Sequence, residues 1–100
     1  METVSEISDK SGRNIYLTQE RWNHIKSDHP EMSTELESIK STISSPEFIR
    51  KSEYDENVRF YYTYYKNRKS QAKYLLTAIK YLNGKGFVIT AFYTNKVKGL

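Results

Sequence analysis

The sequence predicts an α+β fold: an N-terminal hairpin and two helices packed on a four-stranded antiparallel sheet. Three observations carry this expectation. Apolar residues recur at helical spacing between residues 19 and 44, and β-branched and aromatic residues crowd the segments after Pro46. The strand-like segments also follow one another without helices between them, which is the α+β order rather than the βαβ order. One hundred residues is the size of one domain, so 1–100 is read as a single unit.

The segment "TVSEISDKSGRNIYLT" (3–18) reads as strand, turn and strand, with Asp9-Lys10-Ser11-Gly12 as the turn and Gly12 supplying a positive φ. Thr18 suits an N-cap for "QERWNHIKSD" (19–28), where Trp22, Ile25 and His29 follow one face. Pro30 disfavours helical backbone at the residue before it and should end this helix at His29. A second helical stretch opens at Pro30. It carries Met32, Leu36, Ile39 and Ile43 at helical period, has Thr34 and Glu37 as a capping-box pair, and stops at "SSP" (44–46).

The strands expected after that are "FIRKS", "VRFYYTYYK", "AKYLLTAIKYL" and "FVITAFYTNKV", joined by turns containing "DEN", "NRKSQ" and "NGKG". Alternation along each strand separates two faces. One face is expected under the helices. The other, with Arg59, Tyr61, Lys80, Thr90 and Thr94, is expected to be wet, aromatic and basic.

The chain carries a formal charge of +4. The imbalance is concentrated: from Arg50 onward there are eleven Lys or Arg against three Asp or Glu, while acids outnumber bases before Phe48. An anionic partner, with nucleic acid the obvious class, therefore fits the second half. There is no cysteine, so disulfides and thiolate metal sites are excluded, and a reducing, cytoplasmic location is expected. No apolar run is long enough to span a bilayer, and no membrane partner is expected.

The only two histidines, His24 and His29, lie five positions apart in "RWNHIKSDHP". Five residues rotate roughly 140° on a helix, away from the four-residue spacing that puts two zinc ligands on one side. No third ligand stands at metal spacing, so no metal and no cofactor is expected. His29 continues the Trp22–Ile25 face and suits a structural task at the helix end. His24 shares the side of Glu20, Arg21 and Asp28, and is expected to be accessible to solvent.

The segments "LTQERWNHIKSDHPEM", "TISSPEFI" and "LLTAIKYLNGKGFVITAFYTNKVKG" resemble small ribonuclease-like domains of the barnase–EndoU–colicin–RelE superfamily, in the branch met in phages, mobile elements and toxin modules. The likeness covers residues 15 to 98. It implies a metal-independent endoribonuclease, the toxin of a toxin–antitoxin or mobile-element module, in which the RNA 2′-OH attacks its own phosphate. It implies His24 as the acid–base residue, Arg59 and Lys80 as phosphate clamps, and Thr90 of the "TAF" strand as a substrate or orienting hydrogen-bond partner. Tyr61, Thr94 and His29 follow as substrate contacts, and an antitoxin protein as a possible partner. The alternative is a non-catalytic module that binds RNA or protein through the same sheet face.

Overall fold

The structure is a computed structural model and describes residues 2–98. The chain opens with the hairpin of β1 (Thr3–Ser8) and β2 (Asn14–Thr18). Its turn is built on Asp9. One carboxylate oxygen, Oδ1, accepts from the amides of Ser11 and Arg13 at 2.9 Å each, and Gly12 takes φ +89°. Such a φ is open to glycine because no Cβ meets the following carbonyl.

Helix α1 (Gln19–Asp28) starts as expected, with the Thr18 hydroxyl accepting from the Arg21 amide at 3.2 Å. It buries Trp22 and Ile25 and ends at His29, whose amide donates to the Ile25 carbonyl at 2.8 Å. The second helical stretch is not continuous. Pro30–Thr34 forms a 3₁₀ turn that sinks Met32 into the core, and α2 (Leu36–Ser44) begins afresh after Glu35. The Thr34–Glu37 capping box does not form. Glu35 holds the N-cap position without a side-chain cap bond, and its carboxylate accepts from the Tyr93 hydroxyl instead.

The remaining strands are β3 (Phe48–Lys51), β4 (Val58–Tyr64), β5 (Tyr74–Leu82) and β6 (Lys85–Thr94), an antiparallel meander as anticipated. The β5–β6 turn places Asn83 at φ 54° and Gly84 at φ 78°, the pair of positive values that a two-residue hairpin of right-handed twist requires. The four-stranded antiparallel sheet, however, is corrected. The sheet has six strands in the order β1-β2-β6-β5-β4-β3 and is mixed, because β2 runs parallel to β6 through the pairs Ile15↔Gly86 and Tyr16↔Phe87.

Three physical features explain why the hairpin joins the sheet. The edge of β6 would otherwise leave a row of ladder groups unpaired, and β2 covers it. Gly86 makes the close approach feasible, since a Cβ there would lie 2.3 Å from Ile15 Cδ1. The parallel direction also lets α1, which follows β2 directly, pack against β6 beyond the short paired segment.

The helices cover one face, here the inner face. Its core unites Ile15, Leu17, Trp22, Ile25, Met32, Ile39 and Ile43 with Tyr61, Leu75, Ile79, Val88 and Ala91. The outer face has a smaller cluster of its own around Tyr62, Leu76, Ala78 and Val97, joined by Phe48, Phe60, Ile89 and Phe92.

The expected composition of the faces is also corrected. Antiparallel partners share a face. Arg59 pairs with Ile79 and Tyr61 with Thr77, which puts both on the inner side. Lys80 pairs with Val58, Thr90 with Ala78 and Thr94 with Tyr74, on the outer side. Strict alternation on β6 fails because Ala78 pairs with Thr90 but Ile79 with Val88, which leaves Ile89 unmatched. This bulge brings Phe87 and Thr90, three residues apart, to the same side.

Candidate functional site

The expected site residues fall into three places. His24 is exposed on the outward side of α1, in a shallow hollow with Glu20, Asn23 and Ser27. No sheet residue lines that hollow. Arg59 and Tyr61 belong to the inner face, while Lys80, Thr90, Thr94 and His29 belong to the outer one. Arg59 and Lys80 therefore cannot close on one phosphate. Arg59 instead folds onto its own strand entry, where Nη1 donates to the carbonyls of Glu56 (2.6 Å) and Val58 (3.1 Å).

Tyr61 is 2% exposed and its hydroxyl bonds that of Tyr81. Tyr81 in turn donates to Asp9 Oδ2 at 2.9 Å. The Asp9 carboxylate also receives the Ser11 hydroxyl (2.9 Å) and Arg13 Nε (3.1 Å), and the Arg13 guanidinium lies 3.9 Å over the Tyr81 ring. Burial works against the charged form of Asp9, but the Arg13 and Ser11 donors and the Tyr81 hydroxyl together outweigh it and hold the carboxyl below its ordinary range. Burial raises both tyrosines, and the tyrosine–tyrosine bond and the facing Asp9 raise Tyr81 further, so neither phenol gives up its proton near neutrality. The Asp9 carboxylate and the two phenols of this network are bonded from within the chain. It ties the β1–β2 turn to β4 and β5, and its buried carboxylate and phenols are taken up by one another.

The outer face differs. His29 stacks on Phe92, with ring centroids 5.0 Å apart and planes 26° apart. Tyr16 stacks on Phe87 at 5.8 Å across the parallel pair. Between the first turn of α1 and these strands lies a cavity of about 250 Å³ whose lining includes Tyr16, Thr18, Arg21, Lys80, Phe87 and Ile89. Lys80 Nζ is paired with Asp55 Oδ2 at 3.0 Å, and both side chains are more than a third exposed. Arg21 has no ion pair among the described residues, where the other ion pairs are Arg13–Asp9 and Lys40–Glu37. The face thus presents an imidazole, two cations, the Thr90 and Thr94 hydroxyls and several aromatic rings on one surface. This surface can hold a phosphodiester by charge and bases by stacking, and it carries one imidazole.

Sequence reasoning missed Arg21, Tyr16 and Phe87 as members of this surface, while strand alternation already put Phe92 beside Thr90 and Thr94. Arg21 stands inside the "RW" motif, one position from the buried Trp22, and helical angle alone places it at the flank of the buried side. Tyr16 alternates with the buried Ile15 and Leu17 and so had to face the other way. Phe87 and Phe92 could not be assigned together without knowledge of the bulge. Among the described residues no group of three side chains is placed to hold a metal ion, and no helix is long and apolar enough to cross a membrane. Compared with protein-family models, curated proteins and solved structures, the chain gives no match.

Proposed function

We propose that the protein is an endoribonuclease that needs no metal and acts at the outer sheet face, with His29 rather than His24 as its proton-transfer residue. The observation that carries this reading is the sorting of the two histidines: His29 packs on Phe92 of the "TAF" strand, on the face that also carries Lys80, Thr90 and Thr94, while His24 faces away from the sheet. In the proposed reaction the 2′-OH attacks phosphorus and the bond to the 5′ oxygen breaks, leaving a 2′,3′-cyclic phosphate and a 5′-hydroxyl end. Stacking occupies one face of the His29 ring and leaves its nitrogens at the edge, free to take or return a proton. The Thr90 hydroxyl, two residues from Phe92 on the same face, would donate to a phosphate oxygen, while Lys80 and Arg21, farther along the face, would hold the RNA backbone. In a toxin module, an acidic antitoxin that covers this face would silence the protein.

A second reading, RNA binding without cleavage, draws on a specific feature of the same face. A 2′-OH reaction uses both a base and an acid, and His29 is the one imidazole there. The carboxylate beside Lys80, Asp55, is held below its ordinary range by the Asn57 amide and by Lys80, which makes it a poor base.

The test is cleavage of total RNA in EDTA by wild type, His29→Ala and His24→Ala, each checked for fold by circular dichroism. Wild type and His24→Ala should cut alike, and His29→Ala should lose about 100-fold or more. Undiminished cutting by His29→Ala overturns the assignment, and an inert but RNA-binding wild type establishes the second reading.

A further inference from the structure

We propose that the cavity between the first turn of α1 and the outer face is a subsite for one nucleotide of a single-stranded RNA, separate from the position where the bond is cut. Its base lies against the Tyr16–Phe87 pair and its phosphate between Arg21 and Lys80. This inference rests on the RNA reading above and adds where a neighbouring nucleotide sits.

Four features support it. The cavity measures about 250 Å³, just under the roughly 300–1,000 Å³ of pockets that enclose whole drug-sized ligands. It therefore suits one unit of a polymer entering from the open side. Its lining joins the cations Arg21 and Lys80 to two stacked aromatic rings, the pairing of backbone charge and base stacking that single-stranded nucleic acids use. Arg21 has no internal ion-pair partner among the described residues, and Lys80 has only the half-exposed Asp55, which a phosphate can displace without leaving a buried charge behind. Phe87 and Phe92 stand five residues apart on β6, roughly 15 Å along the strand. The subsite is thus displaced from the His29–Phe92 stack and contacts a different nucleotide from the one that reacts. It sets which sequences are held in place for cutting and does not take part in proton transfer.

The experiment is fluorescence anisotropy with a fluorescein-labelled, 2′-O-methylated single-stranded hexanucleotide, which lacks the attacking hydroxyl and cannot be cut. Wild type should bind it. Arg21→Ala should weaken binding about tenfold and reduce the salt slope by about 0.7, the share of one phosphate on a single strand. Tyr16→Ala should weaken it about fivefold or more, and Tyr16→Phe, which keeps the ring, should restore it. If wild type binds and both Ala variants, folded by circular dichroism, bind equally well, the subsite is refuted and the RNA reading stands. If wild type does not bind the probe, both fall. If binding depends on Arg21 and Tyr16 but natural RNA is never cut, the subsite stands and the nuclease reading falls.

Discussion

The two faces of the sheet carry similar residue types and use them in opposite ways. On the inner face, the Asp9 carboxylate, Arg13 Nε and the Tyr61 and Tyr81 hydroxyls bond one another within the chain. On the outer face, Arg21 and Lys80 flank a cavity with one exposed ion pair between them, and the aromatic rings stack without any polar partner at their edges. A polar cluster satisfied from within does structural service. One whose charges point at open space is open to a ligand. The residue types alone, arginine, lysine, tyrosine and threonine, do not distinguish the two cases; their partners do.

The largest effect that can break this contrast is electrostatic. Reversing both cations that line the cavity, Arg21→Glu with Lys80→Glu, should reduce affinity for single-stranded RNA by about 100-fold at low salt, since two attractive phosphate contacts become repulsive. Arg59→Glu on the inner side should change it by less than about threefold, because screening and distance weaken its reach. Equal losses in a filter-binding or anisotropy assay would erase the distinction between the faces.

The second effect concerns stability. Asp9→Ala removes the acceptor shared by Ser11, Arg13 and Tyr81, and should cost about 2–4 kcal/mol in urea unfolding. Because the folded carboxyl titrates below its unfolded value, near 3.9, its contribution is present above that pH and is lost as pH falls through the folded value. Wild type should therefore weaken on acidification below about pH 4, and the difference between wild type and Asp9→Ala should shrink over the same window. A constant difference would show that the charge is not what stabilises the turn.

A smaller loss is expected at the β2–β6 junction. In Gly86→Ala the new methyl meets Ile15 Cδ1 at 2.3 Å and Ile79 Cγ2 at 3.0 Å, so buried side chains must shift at a cost of about 1–3 kcal/mol. Unchanged stability would mean that the parallel pair tolerates more separation than the packing implies. The smallest effect belongs to His24→Ala, whose side chain lies on the exposed side of α1. Thermal unfolding should move by less than about 0.5 kcal/mol.

Local chemistry was legible in the sequence, and long-range pairing was not. The Asp9–Gly12 turn, the Thr18 cap, the end of α1 at His29 and the Asn83-Gly84 hairpin each follow from residues within a few positions of one another. The parallel pairing of β2 with β6 joins residues about seventy positions apart, and no local pattern signals it. The unmatched Ile89 shifts every later residue of β6 by one step, so alternation carried through the strand sorted Thr90 correctly but put Phe87 and Ile89 on the wrong side. Arg59 and Lys80 looked like a pair because both are cationic strand residues; only the register Val58↔Lys80 shows them on opposite faces. For His29, the sequence identified its place at the helix end, and only the fold supplied Phe92 as its neighbour.

The central claim, that RNA engages the outer face and not the inner face or the exposed side of α1, is tested most directly by amide chemical-shift mapping in an NMR titration with the uncleavable hexanucleotide. Shifts concentrated on Tyr16, Arg21, His29, Lys80, Phe87, Thr90 and Phe92, with Asn23, His24, Arg59 and Tyr61 unmoved, are the expected result. Shifts centred on His24 and Asn23, or on the inner-face network around Tyr61, would contradict it.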